Sequence, residues 1–280
     1  MLLGLIALLS VLLAVGGCLL ADAFATLQWL WLLPLGFAGA FLVLLVLAFA
    51  FLLAVIGVLK PGAAYTHDSR FYRTVTNWYI DLIISLVGLK FETQGLEKRP
   101  TQGRFLLVSN HLHEIDPGVL MHFFPKSQLA FIAKQEVLNM FLIGKLLPRL
   151  LGQFLNREND REALKTILTC IRLLKEDEAS VGVFPEGGIN ELRKFKHLKP
   201  GVFKIAQKAK VPIVVCTLRN THRVLPNLMK LKRTTVSVHV LEVIEPAWME
   251  GKTTVEIADY VHGLIAADLG AENCYPEENT

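Results

Sequence analysis

The sequence predicts an α/β domain in which a mostly parallel mixed sheet is flanked by helices, preceded by an N-terminal membrane helical hairpin. Two observations predict this class. After residue 90, strand-like apolar runs alternate with helix-like segments, which is typical of parallel sheets. Before that, residues 1–58 carry a single charged side chain, Asp22, although 19% of the chain is charged. A chain that is 52% hydrophobic is neither disordered nor collagen-like.

Residues 1–60 are predicted to form the membrane-anchoring hairpin. A membrane-crossing helix needs about 20 apolar residues, and residues 2–21 and 36–59 both reach that length. The first ten residues contain no Lys or Arg, which disfavours a secretory signal peptide. Positive charge begins at Lys60, so the positive-inside rule places the rest of the chain in the cytoplasm. The pattern leaves open whether the hairpin crosses the bilayer or dips into one leaflet.

Residues 61–90 are predicted to be an amphipathic linker, because aromatic and polar side chains alternate at helical spacing over residues 69–88. Such a helix lies along the bilayer surface or packs against the domain core, and the sequence favours neither. Residues 91–270 then form the α/β domain, and residues 271–280 an acidic, solvated tail.

Six apolar runs predict the strands of the domain, and four periodic segments predict helices. Several of the runs are continuously apolar, as expected when both faces of a sheet are covered. Asn159 precedes one helical pattern and supplies a plausible N-cap. The strands are Phe105–Ser109, Leu129–Ala133, Gln153–Asn156, Ser180–Phe184, Pro212–Leu218 and Thr235–Val243; the helices are 136–151, 159–177, 201–210 and 254–269.

The four cysteines share no short spacing, so neither a zinc site nor a disulfide framework is predicted. Cys170 lies in a helical pattern and Cys216 in a strand-like run. We expect both to be small buried hydrophobic residues.

The first candidate site is the loop that follows the strand Phe105–Ser109, where residues 109–117 read Ser-Asn-His-Leu-His-Glu-Ile-Asp-Pro. Open α/β sheets bind ligands at the carboxyl ends of their strands. A loop can fold Asp116 back onto His111, which would let His111 act as a general base towards a hydroxyl. Two alternatives stay open: Asp116 only caps a helix that begins next to it, or His111, His113 and Asp116 bind the metal of a hydrolase.

Two further stretches carry candidate binding residues. The short strand from Gly152 ends at Arg157, whose guanidinium suits a phosphate. A second apolar strand runs into Pro-Glu-Gly-Gly at residues 185–188, where Glu186 could anchor an acceptor hydroxyl and glycine allows close approach. Basic side chains follow and could attract phosphate groups. They are Arg193, Lys194, Lys196, His197 and Lys199.

Four blocks occur in a fixed order: Asn-His-(x)4-Asp, Phe-Leu-x-Arg, Phe-Pro-Glu-Gly and Val-Pro-Ile-Val. In this order, over roughly residues 90–245, the sequence resembles the glycerolipid acyltransferase family that includes 1-acyl-glycerol-3-phosphate acyltransferases. The N-terminal helices are also similar to those of bacterial members, which implies a bacterial cell membrane. The resemblance implies an enzyme that acylates the free hydroxyl of 1-acyl-glycerol 3-phosphate, giving phosphatidic acid for phospholipid synthesis.

The resemblance also implies roles for individual residues. His111 would be the general base and Asp116 would orient it, so that the acceptor hydroxyl attacks the thioester of acyl-CoA or acyl-carrier protein. Because a thioester is already activated, no covalent acyl-enzyme is needed. No cofactor and no metal are expected. Arg157, Glu186 and Gly187 would hold the glycerol phosphate.

One departure concerns the third block, which in the family continues with Thr-Arg-Ser but here with Gly188, Ile189 and Asn190. Lys194, Lys196 and Lys199 are expected to replace the missing arginine. Other acceptors therefore stay open within the family, namely glycerol 3-phosphate, another lysophospholipid or an acylated amine. The alternatives outside it are the metal-dependent membrane hydrolase and a non-catalytic lipid-binding protein. The expected partners are a lipid acceptor and an acyl donor, not nucleic acid.

Overall fold

The computed structural model describes residues 1–156 and 159–275. It opens with two helices, α1 (Leu2–Leu20) and α2 (Trp29–Gly57), both long and apolar enough to cross a membrane. Helix α2 begins at Trp29, before the predicted start at residue 36, and contains Pro34. Pro34 does not stop the helix because a proline in its first two turns removes only one main-chain hydrogen bond.

Helix α3 (Arg70–Val87) is the predicted amphipathic linker, and it joins the hairpin to the α/β domain. On one side the Tyr79 hydroxyl donates a 2.5 Å hydrogen bond to the carbonyl of Ala48 in α2. On the other side Ile80 and Val87 pack against the domain core. The helix therefore contacts both the hairpin and the domain along its length.

A seven-stranded sheet forms the centre of the domain, with strand order β1-β7-β6-β2-β5-β3-β4. Every neighbouring pair is parallel except β6 and β7, which confirms the predicted mostly parallel mixed sheet. The strands are β1 (Lys90–Gln94), β2 (Leu106–Ser109), β3 (Ala130–Lys134), β4 (Gln153–Leu155), β5 (Val181–Val183), β6 (Ile213–Arg219) and β7 (Thr235–Ile244). Strand β1 was not predicted, because Phe91 is its single apolar residue.

Six helices flank the sheet: α4 (Asp116–Phe123), α5 (Ile143–Arg149), α6 (Asp160–Lys175), α7 (Lys204–Ala209), α8 (Val224–Met229) and α9 (Thr254–Leu269). The predicted cap of α6 is confirmed, since the Asn159 side chain accepts hydrogen bonds from the amides of Arg161 and Glu162. The single helix predicted over residues 136–151 is wrong. A 3-10 turn and α5 replace it, because the chain passes so close to Gly144 that a Cβ there would lie 2.0 Å from the Leu138 carbonyl oxygen.

Both faces of the central strands are buried, which explains their continuous apolar runs. On β2, Leu106 and Val108 pack with α6, α7 and α9, whereas Leu107 packs on the opposite face with α4. The two predicted buried cysteines are confirmed. Burial raises the pKa of the Cys170 thiol to about 12, so this thiol has no reactive thiolate at neutral pH.

The start of the predicted acidic tail pairs with the loop that follows β5. The amide of Phe195 donates to the Asn273 carbonyl at 2.8 Å, and the amide of Tyr275 donates to the Phe195 carbonyl at 2.9 Å. Residues 276–280 of the predicted tail lie outside the described residues.

Candidate active site

The central feature of the site is a histidine–aspartate pair at the carboxyl end of β2. Nδ1 of His111 lies 2.8 Å from Oδ2 of Asp116. A hydrogen bond in which Nδ1 donates to the carboxylate fixes the tautomer, so Nε2 is the ring nitrogen that can take a proton. The loop therefore folds Asp116 back onto His111, as the spacing predicted.

Asp116 is held by the loop that precedes it. The same Oδ2 atom accepts hydrogen bonds from the amides of Leu112, at 2.6 Å, and His113, at 2.9 Å. The side chain is 0% exposed, although Asp116 is the first residue of α4. Oδ2 bonds amides that precede the helix, and no described side chain caps the first turn of α4. The alternative that Asp116 only caps the helix is therefore wrong, and the carboxylate organises the loop.

Aromatic stacking fixes the plane of the His111 ring. The ring lies on Phe184, with centroids 4.1 Å apart and planes 15° from parallel. Phe184 stacks in turn on Phe131 of the neighbouring strand β3. The His111 side chain is 17% exposed, so its ring is held in one orientation and is still partly accessible.

Glu186 joins the loop after β5 to the loop after β2 that carries His111 and Asp116. Its two carboxylate oxygens accept hydrogen bonds from the amides of His111, at 2.7 Å, and Lys196, at 3.1 Å. Burial is the main reason why its pKa is raised to about 7. Gly187, at φ +85°, supplies the left-handed turn that brings the carboxylate back towards β2. Contact of either residue with an acceptor stays a prediction.

The raised pKa predicts that Glu186 makes stability depend on pH. A carboxyl group with a folded pKa above its unfolded value favours the folded state below about pH 4.5, and this contribution is lost as pH rises through about 7. In the wild type the free energy of unfolding should fall by on the order of 3 kcal/mol as pH rises through this range. Glu186→Gln stays neutral and should not show this fall. Thermal unfolding of both proteins between pH 5 and 8 measures this. Parallel pH profiles of Tm would contradict it.

The structure separates the predicted basic residues. The Lys196 ammonium lies over the Tyr275 ring, 5.2 Å from its centroid, and Lys199 is exposed. The main-chain amide and carbonyl of Lys194 bond the side chain of Asn190, which closes the turn after Gly188. Arg157 lies outside the described residues.

The structure brings two cations close to the loops after β2 and β5, and one of them, Lys134, was not among the residues selected from the sequence. Lys134 ends β3, and a Cβ on Gly188 would lie 2.8 Å from its Nζ. Arg193, known from the sequence only as part of the basic run, donates from Nη1 to the Leu112 carbonyl next to His111. Lys134 could have been found from the sequence, because it directly follows the predicted strand Leu129–Ala133 and so lies at the carboxyl edge of the sheet.

Asn110 is a third residue that the sequence analysis did not assign. Its fully buried side chain donates to the Leu218 carbonyl at 2.9 Å and accepts from the Leu218 amide at 2.8 Å. This pair of hydrogen bonds joins the end of β2 to β6, so Asn110 fixes the start of the loop that carries His111 and Asp116.

The alternative of a metal-dependent hydrolase requires a cluster of ligands. Across residues 1–156 and 159–275, no group of three His, Cys, Asp or Glu side chains is placed to hold a metal ion. Nδ1 of His111 is engaged with Asp116, and Nδ1 of His113 accepts a 3.4 Å hydrogen bond from the Ile115 amide. Both Nδ1 atoms are therefore engaged within the loop.

Comparisons with known proteins show what the chain is similar to. Residues 90–219 match the family model named Acyltransferase. The chain is 26% identical over 226 residues to 1-acyl-sn-glycerol-3-phosphate acyltransferase of Haemophilus influenzae, covering 80% of this chain and 91% of that one. It is 26% identical to human 1-acyl-sn-glycerol-3-phosphate acyltransferase beta over 213 residues, which cover 74% and 76% of the two chains.

The fold is similar to the crystal structure of the 1-acyl-sn-glycerophosphate acyltransferase PlsC from Thermotoga maritima. The TM-score is 0.61 at 20% sequence identity, over 82% of this chain and 90% of that chain. The likeness supports the mixed sheet with its two N-terminal apolar helices.

Proposed function

We infer, from the membership of residues 90–219 in the acyltransferase family, that this acyltransferase acylates the free hydroxyl of 1-acyl-glycerol 3-phosphate. The product would be phosphatidic acid, a step of phospholipid synthesis. Relatives named for this activity match most of the chain. The observation that carries the proposal is the pair formed by His111 Nδ1 and Asp116 Oδ2 at 2.8 Å.

The geometry suits proton transfer without a covalent acyl-enzyme. Nε2 of His111 takes the proton of the acceptor hydroxyl while its oxygen attacks the thioester carbonyl. The carbon–sulfur bond then breaks, and the thiolate of coenzyme A or acyl-carrier protein receives that proton from the imidazolium. Asp116 stabilises the imidazolium through Nδ1, as the aspartate of a serine triad does. Because the thioester is already activated, we propose that no further cofactor takes part.

Lys134 and Arg193 support a phosphorylated acceptor. Lys134 places a cation at Gly188 in the loop after β5, and Arg193 places one at Leu112 in the loop that carries His111. Cationic donors bind phosphate oxygens through charge-assisted hydrogen bonds. We propose that these two residues bind the acceptor phosphate together with Arg157, and that they do what was expected of Lys194, Lys196 and Lys199.

Lys134→Gln should raise KM for a phosphorylated acceptor by about 10- to 100-fold, because a hydrogen bond to a charged group contributes about 1.5–3 kcal/mol. The KM for monoacylglycerol, which lacks the phosphate, should change little. Steady-state kinetics with both acceptors tests this, with the exposed Lys126→Gln as control. Equal changes in KM for the two acceptors would remove the phosphate role of Lys134.

The hairpin of α1 and α2 supports membrane anchoring. Its outer side chains are long and apolar, and Leu20 is 92% exposed. We propose that the hairpin embeds in a bacterial cell membrane, with the acyltransferase domain on the cytoplasmic side where the basic residues begin. An acceptor dissolved in the bilayer then reaches the site without leaving the membrane.

An acceptor panel with one labelled acyl donor tests the proposed function. Purified protein in nanodiscs would be offered 1-acyl-glycerol 3-phosphate, glycerol 3-phosphate, a lysophosphatidylcholine and an acylated amine, first with acyl-CoA and then with acyl-carrier protein. We expect the highest kcat/KM for 1-acyl-glycerol 3-phosphate. A higher value for any other acceptor would overturn the acceptor while leaving the acyltransferase class intact.

A further inference from the structure

The connection between β6 and β7 exposes large apolar side chains to solvent. We call residues 220–234 the α8 segment. Met229 is 87% exposed and Leu231 95%, more than almost any other apolar side chain of the α/β domain. Exposed apolar side chains that are contiguous mark an interaction surface and not ordinary surface composition. The exposed members are Leu225, Leu228, Met229 and Leu231.

The α8 segment is also strongly cationic. Its four basic side chains are exposed, and residues 220–234 contain no Asp or Glu. Two of the lysines flank Leu231 directly, so cationic and apolar side chains share one surface. Such a surface matches an anionic bilayer, where the apolar groups enter the interface and the cations bind the headgroups. The basic residues are Arg223, Lys230, Lys232 and Arg233.

The exposed side chains are held in place by the segment's own structure. Val224 and Thr234 are buried and fix the two ends of the segment. Between them the side-chain amide of Asn227 donates to Thr234 Oγ1 at 3.0 Å, and the main-chain carbonyl of Asn227 accepts from the Lys232 amide at 2.8 Å. The turn therefore presents Leu231 in a defined position outside the domain.

The segment lies at the catalytic edge of the sheet and is connected to the hairpin through Lys90 and α3. It begins where β6 ends, and β6 is parallel to β2, whose carboxyl end carries the catalytic loop. It ends at Thr234, whose carbonyl accepts a 3.0 Å hydrogen bond from the Lys90 amide. Lys90 follows α3 by three residues, and α3 packs on the hairpin. The same bilayer that holds the hairpin is thus within reach.

We propose that the α8 segment is a second membrane contact, in which Met229 and Leu231 enter the interface of an anionic bilayer while the flanking Lys and Arg side chains bind lipid phosphates. This contact turns the catalytic edge of the domain towards the lipid surface. It lies outside the residues that match the family model, which end at residue 219. The proposal holds whatever the acceptor is, so its test is independent of the acceptor panel.

The test uses the full chain in nanodiscs with an environment-sensitive fluorophore, NBD, on Met229→Cys. Cys274→Ser serves as background, because the other native cysteines are buried. Discs would contain phosphatidylcholine alone or with 30% phosphatidylglycerol. A matched control is Leu168→Cys on α6, where the native side chain is 57% exposed. Leu231→Cys provides a second labelling site in the segment.

We expect blue-shifted emission at positions 229 and 231, quenching by nitroxide lipids, and a stronger effect in the anionic discs. The probe at position 168 should report water in both. Replacing Lys230, Lys232 and Arg233 by Gln should remove the lipid dependence. Water-like emission at both segment positions, or equal emission in the two kinds of disc, would overturn the proposal. A shift in lipid-free micelles that grows with protein concentration would indicate self-association and would also overturn it.

Discussion

His111→Gln should reduce kcat by about 10²- to 10⁴-fold, the usual contribution of general acid–base catalysis. Gln fills similar space and keeps polar atoms beside Asp116, but it cannot take a proton at neutral pH. The KM for the acceptor should change little, because His111 acts on the hydroxyl and not on the phosphate. Initial rates with a labelled acyl donor measure this, and circular dichroism of the variant checks that it folds.

The chain offers a matched control for this variant. His122 forms a second histidine–aspartate pair, with Nδ1 2.7 Å from Oδ1 of Asp81, between α3 and α4. It differs from His111 in its surroundings, because its ring stacks on Phe91 of β1, whereas the ring of His111 stacks on Phe184. His122→Gln should keep kcat within about twofold of the wild type. If His111→Gln retained wild-type kcat, the proposed mechanism would be wrong.

The central strands and the catalytic pair could be predicted because their signals are local. Continuous apolar runs predicted β2 and β6, and the parallel order placed the loops after β2 and β5 at one edge. The five-residue spacing of His111 and Asp116 then required only a loop that folds back. In each case the residues whose pattern supports the prediction are also the residues that form the strand or the hydrogen bond.

The missed elements are those whose environment is set by distant parts of the chain. Strand β1 is mostly polar and exists because it pairs with β7, some 145 residues later. The 3-10 turn before α5 depends on the close approach of Leu138 to Gly144. No periodicity within these segments could indicate either contact.

Distant parts of the chain also decide which basic side chains lie near His111 and Gly188. From the sequence, the lysines at 194, 196 and 199 appeared equivalent to Arg193. The fold turns Lys196 to Tyr275 and brings Arg193 to Leu112. Lys134 stands more than 50 residues earlier and reaches Gly188 only because β3 pairs with β5. Which cation faces the site is a property of the sheet order, not of the basic run.

Asp116→Asn should reduce kcat by about 10³- to 10⁴-fold, since an amide neither stabilises the imidazolium nor holds the His111 tautomer as a carboxylate does. The Asn oxygen can still accept from the amides of Leu112 and His113, so the variant should fold. Asp81→Asn, in the pair with His122, is the matched control and should leave kcat near wild type.

The double variant distinguishes a positioning role from an independent one. If Asp116 acts through His111, then His111→Gln with Asp116→Asn should lose no more kcat than His111→Gln alone, because residues that act as a unit are not additive. Losses that multiply would show that Asp116 contributes by another route, such as contact with the acceptor. The geometry argues for the first result: Oδ2 is occupied by His111 and two loop amides, and the side chain is 0% exposed.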